Sequence, residues 1–438
     1  MNRHTEAVAT QLTAWTAVSD VKRSGDNTRL VAACHEGNIA VVSELLRARA
    51  DADETNADHL TPLSVASRKG HTATVTTLLR AGAKVDKNNI QVVGGATPLC
   101  FASHYGHVAV VSELLKARAA TNHVFTNGET PIFSASRQGH TAVVSLLLKA
   151  GAAINDSNGN TRPLIIASSH GHAAVVSALL KADASVNAKR RDGYTSLFMA
   201  SQHGHNQTVA ALLQAGAEVD AKCLSDCTAL IAASQQGHAA IVNMLLTARA
   251  QVNAHLTDSG DTAMIFACYH GHLATVKVLS SHDAARTISD AQHGDQCADV
   301  LAALQGHDDV VAWLGESRQW ITPLHHLRII GAVRARELLR DGANLHAAAA
   351  GGPTPLSLAQ ALQKKGETDV TSAAWLVLEA SEPWNPSRHG LFPTPSRTFA
   401  VELLHIGYQL SRQPQFAGES RAIADVWLEY VMPKAVER

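Results

Sequence analysis

The chain has 438 residues, 46% hydrophobic and 17% charged, and its 37 basic and 38 acidic side chains leave a formal net charge of −1. That balance argues against bulk charge as the means of holding nucleic acid or a membrane surface, leaving only local patches. No uncharged stretch reaches the ~18 residues of a membrane span, no leader-like apolar run opens the chain, and six cysteines are too sparse for a disulfide scaffold. A reducing, intracellular and cytoplasmic setting is therefore expected.

The first expected element is an N-terminal capping helix over residues 1–28, amphipathic, with Val8, Leu12 and Trp15 on one face. From residue 29 the chain repeats itself. Gly37 is followed by Asn38, and then Gly-His begins at Gly70, Gly106, Gly139, Gly171, Gly204, Gly237, Gly271 and Gly306, at gaps of 32 to 36 residues. All four prolines before residue 320 (Pro62, Pro98, Pro131, Pro163) occupy one repeat position. Such self-similarity has to be read before any single element.

One unit shows the physics. Thr61 is a helix cap and Pro62 a first-turn residue with φ already set. Leu63, Val65 and the small Ala66 and Ser67 come next, and Gly70 ends the short helix. Val75, Leu78 and Leu79 make the apolar stripe of a second helix, which Gly82 stops. A polar Asn/Asp/Gly-rich stretch then leads to the next threonine. Two such helices cannot bury their stripes alone, whereas stacked copies can.

With this period and motif the chain resembles the ankyrin repeat family over residues 29–285. The resemblance implies an all-α, curved ankyrin-repeat solenoid of helix-loop-helix units with β-hairpin-like fingers. The family's Thr-Pro-Leu-His carries a histidine that bonds neighbouring backbone. Here that place holds Ser64, Cys100, Phe133, Ile165, Phe198, Ile231 and Ile265, which suggests packing in its stead; only Thr322-Pro323-Leu324-His325 keeps the family form. Residues 29–317 give about nine repeats, the last degraded by Asp299 at an apolar position. From Gly306 to Pro323 is 17 residues, against 25 from Gly37 to Pro62, which points to a lost finger. Two divergent units are expected within 318–380, at 322–347 and 354–380.

Composition then shifts: nine of 13 prolines and four of six tryptophans lie from residue 320 onward. Phe399, Leu403, Ile406 and Leu410 form one helical stripe; Ile423, Val426, Trp427, Tyr430 and Val431 form another, stopped by Pro433. Residues 381–438 read as a C-terminal α-helical cap, with a separate effector module as the alternative.

Little here points to chemistry. His170-Gly-His172, His203-Gly-His205 and His270-Gly-His272 look like metal ligands, but they recur because the repeat recurs, and a row of equivalent turns does not converge on one ion. They are read as turn residues acting locally. Cys223 and Cys227 lack a second pair, while Cys34, Cys100 and Cys268 suit a packed core. Phosphate-loop, dinucleotide, nucleophile-elbow and zinc-protease motifs do not occur. No catalytic residue, metal or cofactor is expected.

In the ankyrin family, partners bind a concave face made by the finger tips and the two residues before each turn glycine. Carried over, that face holds Arg68, Lys69, His104, Tyr105, Arg137, Gln138, His170, Gln202, His203, Gln235, Gln236, Tyr269 and His270, with Lys189, Arg190, Arg191 and Tyr194 from one finger. Three of the five tyrosines fall among them, and Tyr and Arg dominate interface energetics. The expected function is a monomeric, non-enzymatic protein-binding scaffold without nucleic-acid or membrane partners. Alternatives are an adaptor whose C-terminal module recruits machinery such as a ubiquitin ligase, and an enzyme with its site in residues 318–438. Finally, the residue ending each second helix reads Arg49, Gly82, Arg118, Gly151, Asp183, Gly216, Arg249, an alternation that predicts a left-handed position.

Overall fold

In the computed structural model each repeat proline opens a short helix. The structure describes residues 29–56, 58–87, 95–124, 128–155, 162–290, 294–320, 322–382, 386–391 and 398. The helix expected over 1–28 and the stripes at 399–410 and 423–431 lie outside them. The chain divides into two compact units, residues 1–229 and 230–438.

Unit 1 is built from helix pairs: α1 (Arg29–Glu36) and α2 (Ile39–Arg47), α3 (Pro62–Lys69) and α4 (Thr72–Arg80), α5 (Pro98–His104) and α6 (Val108–Lys116), α7 (Pro131–Gln138) and α8 (Thr141–Lys149), α9 (Pro163–Ser169) and α10 (Ala173–Lys181), α11 (Ser196–Gln202) and α12 (Asn206–Gln214). Each first helix packs on the next first helix and on its own second helix. Capping agrees closely with the sequence. The hydroxyls of Thr61, Thr130 and Thr195 accept from the backbone N–H three residues on, at 3.1, 3.3 and 3.2 Å. Two repeats depart from this. The Thr97 hydroxyl shares a hydrogen bond with the Cys100 thiol at 3.0 Å, and α9 has Arg162 at its cap, without any side-chain cap bond.

The residues standing at the family's histidine position, Ser64, Cys100, Phe133, Ile165 and Phe198, are all buried, so packing does take over there. The second helices bury the expected stripe, for example Val75 and Leu78, or Val143, Val144 and Leu147. Every residue that ends a second helix is left-handed, with Arg49, Arg118 and Asp183 at φ of 63°, 65° and 62° beside Gly82, Gly151 and Gly216 at 90°, 79° and 81°.

The Gly-His histidines turn out to do more than close their own turns. Each ring reaches back one repeat and fills the space where a Cβ on the preceding turn glycine would lie: His71 over Gly37, His107 over Gly70, His140 over Gly106, His172 over Gly139, His205 over Gly171. Its Nε2 lies 2.9–3.1 Å from the carbonyl two residues before that glycine, in His35, Arg68, His104, Arg137 and Ser169 respectively. A carbonyl only accepts, so each Nε2–H donates. These histidines staple repeat to repeat, which corrects their reading as locally acting residues. A second ladder joins the fingers: Asp53, Asp86, Asn122, Asn155 and Asn187 accept from the backbone N–H of Lys84, Ala120, Ala153, Ser185 and Glu218.

Unit 2 continues the pattern with α13 (Ala229–Gln235), α14 (Ala239–Thr247), α15 (Ala263–Tyr269) and α16 (Leu273–Ser280). The next finger is a true antiparallel hairpin, β1 (Thr287–Asp290) against β2 (Gly294–Cys297). It leads to α17 (Ala298–Leu304) and α18 (Asp308–Glu316). His272 and His307 staple onto the carbonyls of Gln235 and Tyr269 at 3.1 and 3.0 Å. After α18 a single 3-10 turn, Ser317–Gln319, stands where a finger would be.

The divergent units are α19 (Ala332–Arg340), preceded only by a 3-10 turn over Pro323–His325, and the pair α20 (Pro355–Lys364) and α21 (Ala373–Ser381). With residues 386–391 they share a core of Leu324, Leu339, Ala359, Leu376, Val377 and Leu391. His325 behaves as the family form implies: its Nδ1 meets the Thr322 hydroxyl at 2.8 Å, and its Nε2–H donates to the Pro353 carbonyl at 3.1 Å. Next to it His326, 2% exposed, lies 5.0 Å from the Trp320 ring and 6.0 Å from Trp313, with the Arg286 guanidinium over Trp313 at 5.7 Å. Burial first, and then the Arg286 charge, push its imidazole down to about 3.

Candidate functional site

In both units the backbone carbonyl two residues before each turn glycine holds a staple wherever that staple is described. The staple uses the peptide group there and not the side chain, although His104 and Arg137 have partners of their own in Ser134 and Glu129. That is why this place reads Arg68, His104, Arg137, Ser169, Gln235 and Tyr269 while the turn around it stays fixed.

In unit 1 these side chains, and their immediate C-terminal neighbours, form a row along α3, α5, α7, α9 and α11. Lys69, Tyr105, Gln138, His170 and His203 are exposed, and Arg68, His104 and Gln202 are half-buried. Tyr105 is 40% exposed and packs edge-on to His104 at 4.8 Å. The His170 and His203 rings stack on the staples His172 and His205 at 6.0 and 6.1 Å. Their Nδ1–H groups donate to the Ile166 and Met199 carbonyls at 3.0 and 2.8 Å. The neutral form of each ring then leaves Nε2 as an acceptor. Burial, then Arg137 and His140, lower His104 to about 4, and burial also lowers His170, so both rings are neutral at pH 7.

Arg137 stands apart from the others. It is buried, its guanidinium lies 2.5 Å from Glu129 and 5.8 Å above the Phe133 ring, and it is committed within its own repeat rather than presented. On the finger, Lys189 and Arg191 are exposed, the Lys189 ammonium donating to the Lys222 carbonyl at 3.2 Å. Arg190 is paired with Asp192 and lies 5.5 Å over the Tyr194 ring, which in turn stacks on Phe198 at 4.5 Å. Arg190 and Tyr194 thus fasten the finger to α11, with only part of each side chain accessible.

In unit 2 the corresponding residues are Gln235, half-buried, and Gln236, Tyr269 and His270, exposed. Tyr269 is 43% exposed, with His270 edge-on at 5.1 Å. Burial, then His272 and His307, lower the His270 pKa. Leu304 and Gln305 hold the same place in the ninth repeat, and both are exposed. The sequence reading passed over them because Asp299 marked that repeat as degraded; the position of Gly306 is the signal that finds them.

Cys34, Cys100, Cys227 and Cys268 have thiols pushed up to about 12 by burial and are neutral. Among the described residues no three His, Cys, Asp or Glu side chains gather as a metal site, and no helix is long and apolar enough to cross a membrane.

A family model described as ankyrin repeats (3 copies) matches residues 1–89, 30–126, 87–158, 154–223, 197–291 and 230–322. Among solved structures, the human ASB11 ankyrin repeat domain is 24% identical, covering 51% of this chain and 98% of its own, with a TM-score of 0.47. No curated protein gives a significant match.

Proposed function

The chain belongs to the ankyrin repeat family, and from that premise we propose that it is a non-enzymatic scaffold that binds a protein partner through the side chains preceding its turn glycines. Ankyrin repeats are protein-interaction modules, so a protein partner follows from the family; the surface is this chain's own. One observation carries the reading. At the residue two before the turn glycine, wherever a staple is described, the staple consumes the carbonyl and makes no use of the side chain, so the turn itself does not dictate identity there. The side chains there and beside it include Tyr105 and Tyr269, both exposed, and Tyr is a residue type that anchors interfaces.

The best contact residues in unit 1 are Arg68, Lys69, Tyr105, Gln138, His170 and His203, with Lys189 and Arg191 from the finger. In unit 2 they are Gln236, Tyr269 and His270. His170 brings an acceptor nitrogen rather than a charge at neutral pH, suiting a partner that offers backbone or side-chain donors. Arg137, Arg190 and Tyr194 support this surface instead of contacting the partner. The test is capture of a partner by the full chain, and then Tyr105→Ala and Tyr269→Ala singly. Loss with either supports the surface, and binding that survives both variants refutes it.

A further inference from the structure

Unit 1 carries a row of exposed cations along the ends of its second helices. These helices stack on one another, so equivalent residues of successive repeats fall in line. The final helical residue is Arg47 in α2, Arg80 in α4, Lys116 in α6, Lys149 in α8 and Lys181 in α10, all exposed, and the run ends at Gln214 in α12. Two residues on, at the left-handed stop, the first and third repeats add Arg49 and Arg118, while Asp183 offsets Lys181 in the fifth. Lys116 pairs with Glu113 at 2.7 Å. Among the described residues, the side chains of Arg47, Arg49, Arg80, Arg118 and Lys149 make no hydrogen bond or ion pair. A cation at a helix C-terminus complements the helix dipole, which accounts for the final helical residues. It does not account for arginine at φ 63° and 65°, where glycine would be free of strain and neither side chain has a partner. Strain held at an exposed residue without an internal contact points to a ligand outside.

We propose that Arg47, Arg49, Arg80, Lys116, Arg118 and Lys149 form a docking surface for an extended acidic segment of a partner protein. It is separate from the side chains that precede the turn glycines, because it lies at the end of each second helix away from its glycine. Only three carboxylates stand beside these cations, Glu44, Asp51 and Glu113, since Asp53 and Asp86 are spent on finger N–H groups. Packed helices lie ~8–10 Å apart, so four repeats span ~24–30 Å. An extended chain rising ~3.3 Å per residue crosses them in about nine residues and brings every third side chain to a repeat. Chemistry selects a protein over other polyanions. No second helix of unit 1 has an aromatic residue on which a base could stack, and the row has no apolar side chain to enter a membrane. A duplex backbone is gripped by N–H groups at helix N-termini as well as by cations, and this row stands at C-termini. Its long Arg and Lys side chains suit carboxylates that reach out on side chains of their own.

The test is fluorescence anisotropy of a labelled peptide of about ten glutamates, titrated with the full chain at about 10 mM salt, where screening is weak. Arg49→Gly with Arg118→Gly should weaken binding about fivefold or more while the urea midpoint rises, which separates contact from folding. Arg80→Gln with Lys149→Gln should weaken it about as much and leaves the left-handed stops untouched. Removing two exposed charges elsewhere, with Lys364→Gln and Lys365→Gln, should change affinity by less than about twofold. The proposal is overturned if the peptide does not bind the parent chain, if both row variants bind it as the parent does, or if the Lys364 and Lys365 pair weakens binding equally. It is overturned too if a DNA duplex of about 20 base pairs, or a vesicle of phosphatidylserine and phosphatidylcholine, binds more tightly than the peptide and loses affinity with the same row variants.

Discussion

The staple predicts a specific failure of additivity between Gly106 and His140. His140→Ala removes the bond to the His104 carbonyl at 3.0 Å, about 1 kcal/mol net, and the packing of a half-buried ring, about 1–2 kcal/mol more. Gly106→Ala puts a side chain on a residue at φ +75°, worth about 1–2 kcal/mol of strain, and its Cβ would sit 2.6 Å from two atoms of the His140 ring. That ring must leave, so the glycine variant alone forfeits the staple as well and should lose about 3–5 kcal/mol in all. In the double variant the clash is gone and only strain and the already lost staple remain, again about 3–5 kcal/mol. The coupling is therefore about 2–3 kcal/mol, well beyond the ~0.5 kcal/mol scatter of independent sites. Gly82→Ala is the control: with φ +90° and nothing within 4 Å of the added Cβ, it should show strain alone. Urea denaturation of the full chain with the four variants measures this. Additive losses at Gly106 and His140 would refute the staple as the reason these turns need glycine.

Further outcomes rest on the same geometry. Arg118→Gly and Arg249→Gly, at φ 65° and 66° and exposed, should each raise stability by about 0.5–1 kcal/mol, the relief of left-handed strain less the entropy glycine adds to the unfolded chain; urea midpoints that fall for both would contradict this. His104 and His326 have folded pKa values of about 4 and about 3, below 6.5, so the unfolded chain binds more protons. Their contribution is complete above pH 6.5 and is lost as pH falls toward 4 and 3. For buried His326 the slope is at most ~1.4 kcal/mol per pH unit, and His326→Phe should flatten the acid limb of a denaturation-versus-pH curve. A zinc chelator should leave the melting temperature where it was, since the staple rings are committed to carbonyls and His170 and His203 are stacked on staples; a clear drop would reopen the metal reading.

The features legible in advance were local. Thr-Pro caps, glycine stops and the left-handed ends of second helices each depend on a few consecutive residues, so Thr61, Pro62, Gly70 and the Arg/Gly alternation from Arg49 onward announced their roles. Residues whose partner lies one repeat away did not. His107 meets Arg68 across 39 positions and Asn122 meets Ala153 across 31, contacts that exist only once the units stack. Candidate contact residues suffered in the same way. Arg137 looked presented because sequence gives its place on the helix but not Glu129 eight residues earlier folding beneath it, and Tyr194 looked free because its stack on Phe198 needs the finger to turn back. Leu304 was hidden by the acidic Asp299 five residues before it.

The central claim, that side chains spared by the staples bind a protein, is tested most directly by the affinity of a captured partner for three variants of the full chain. Tyr105→Ala, Tyr269→Ala and the second-helix control Thr77→Ala should be compared by titration calorimetry. At least one tyrosine variant should lose about 2 kcal/mol, close to thirtyfold, as a buried interface anchor does, while Thr77→Ala, whose hydroxyl only donates to the Ala73 carbonyl at 2.9 Å, stays within about twofold of the parent. Equal affinities for all three variants, or a loss confined to Thr77→Ala, would contradict the claim and place the binding surface elsewhere.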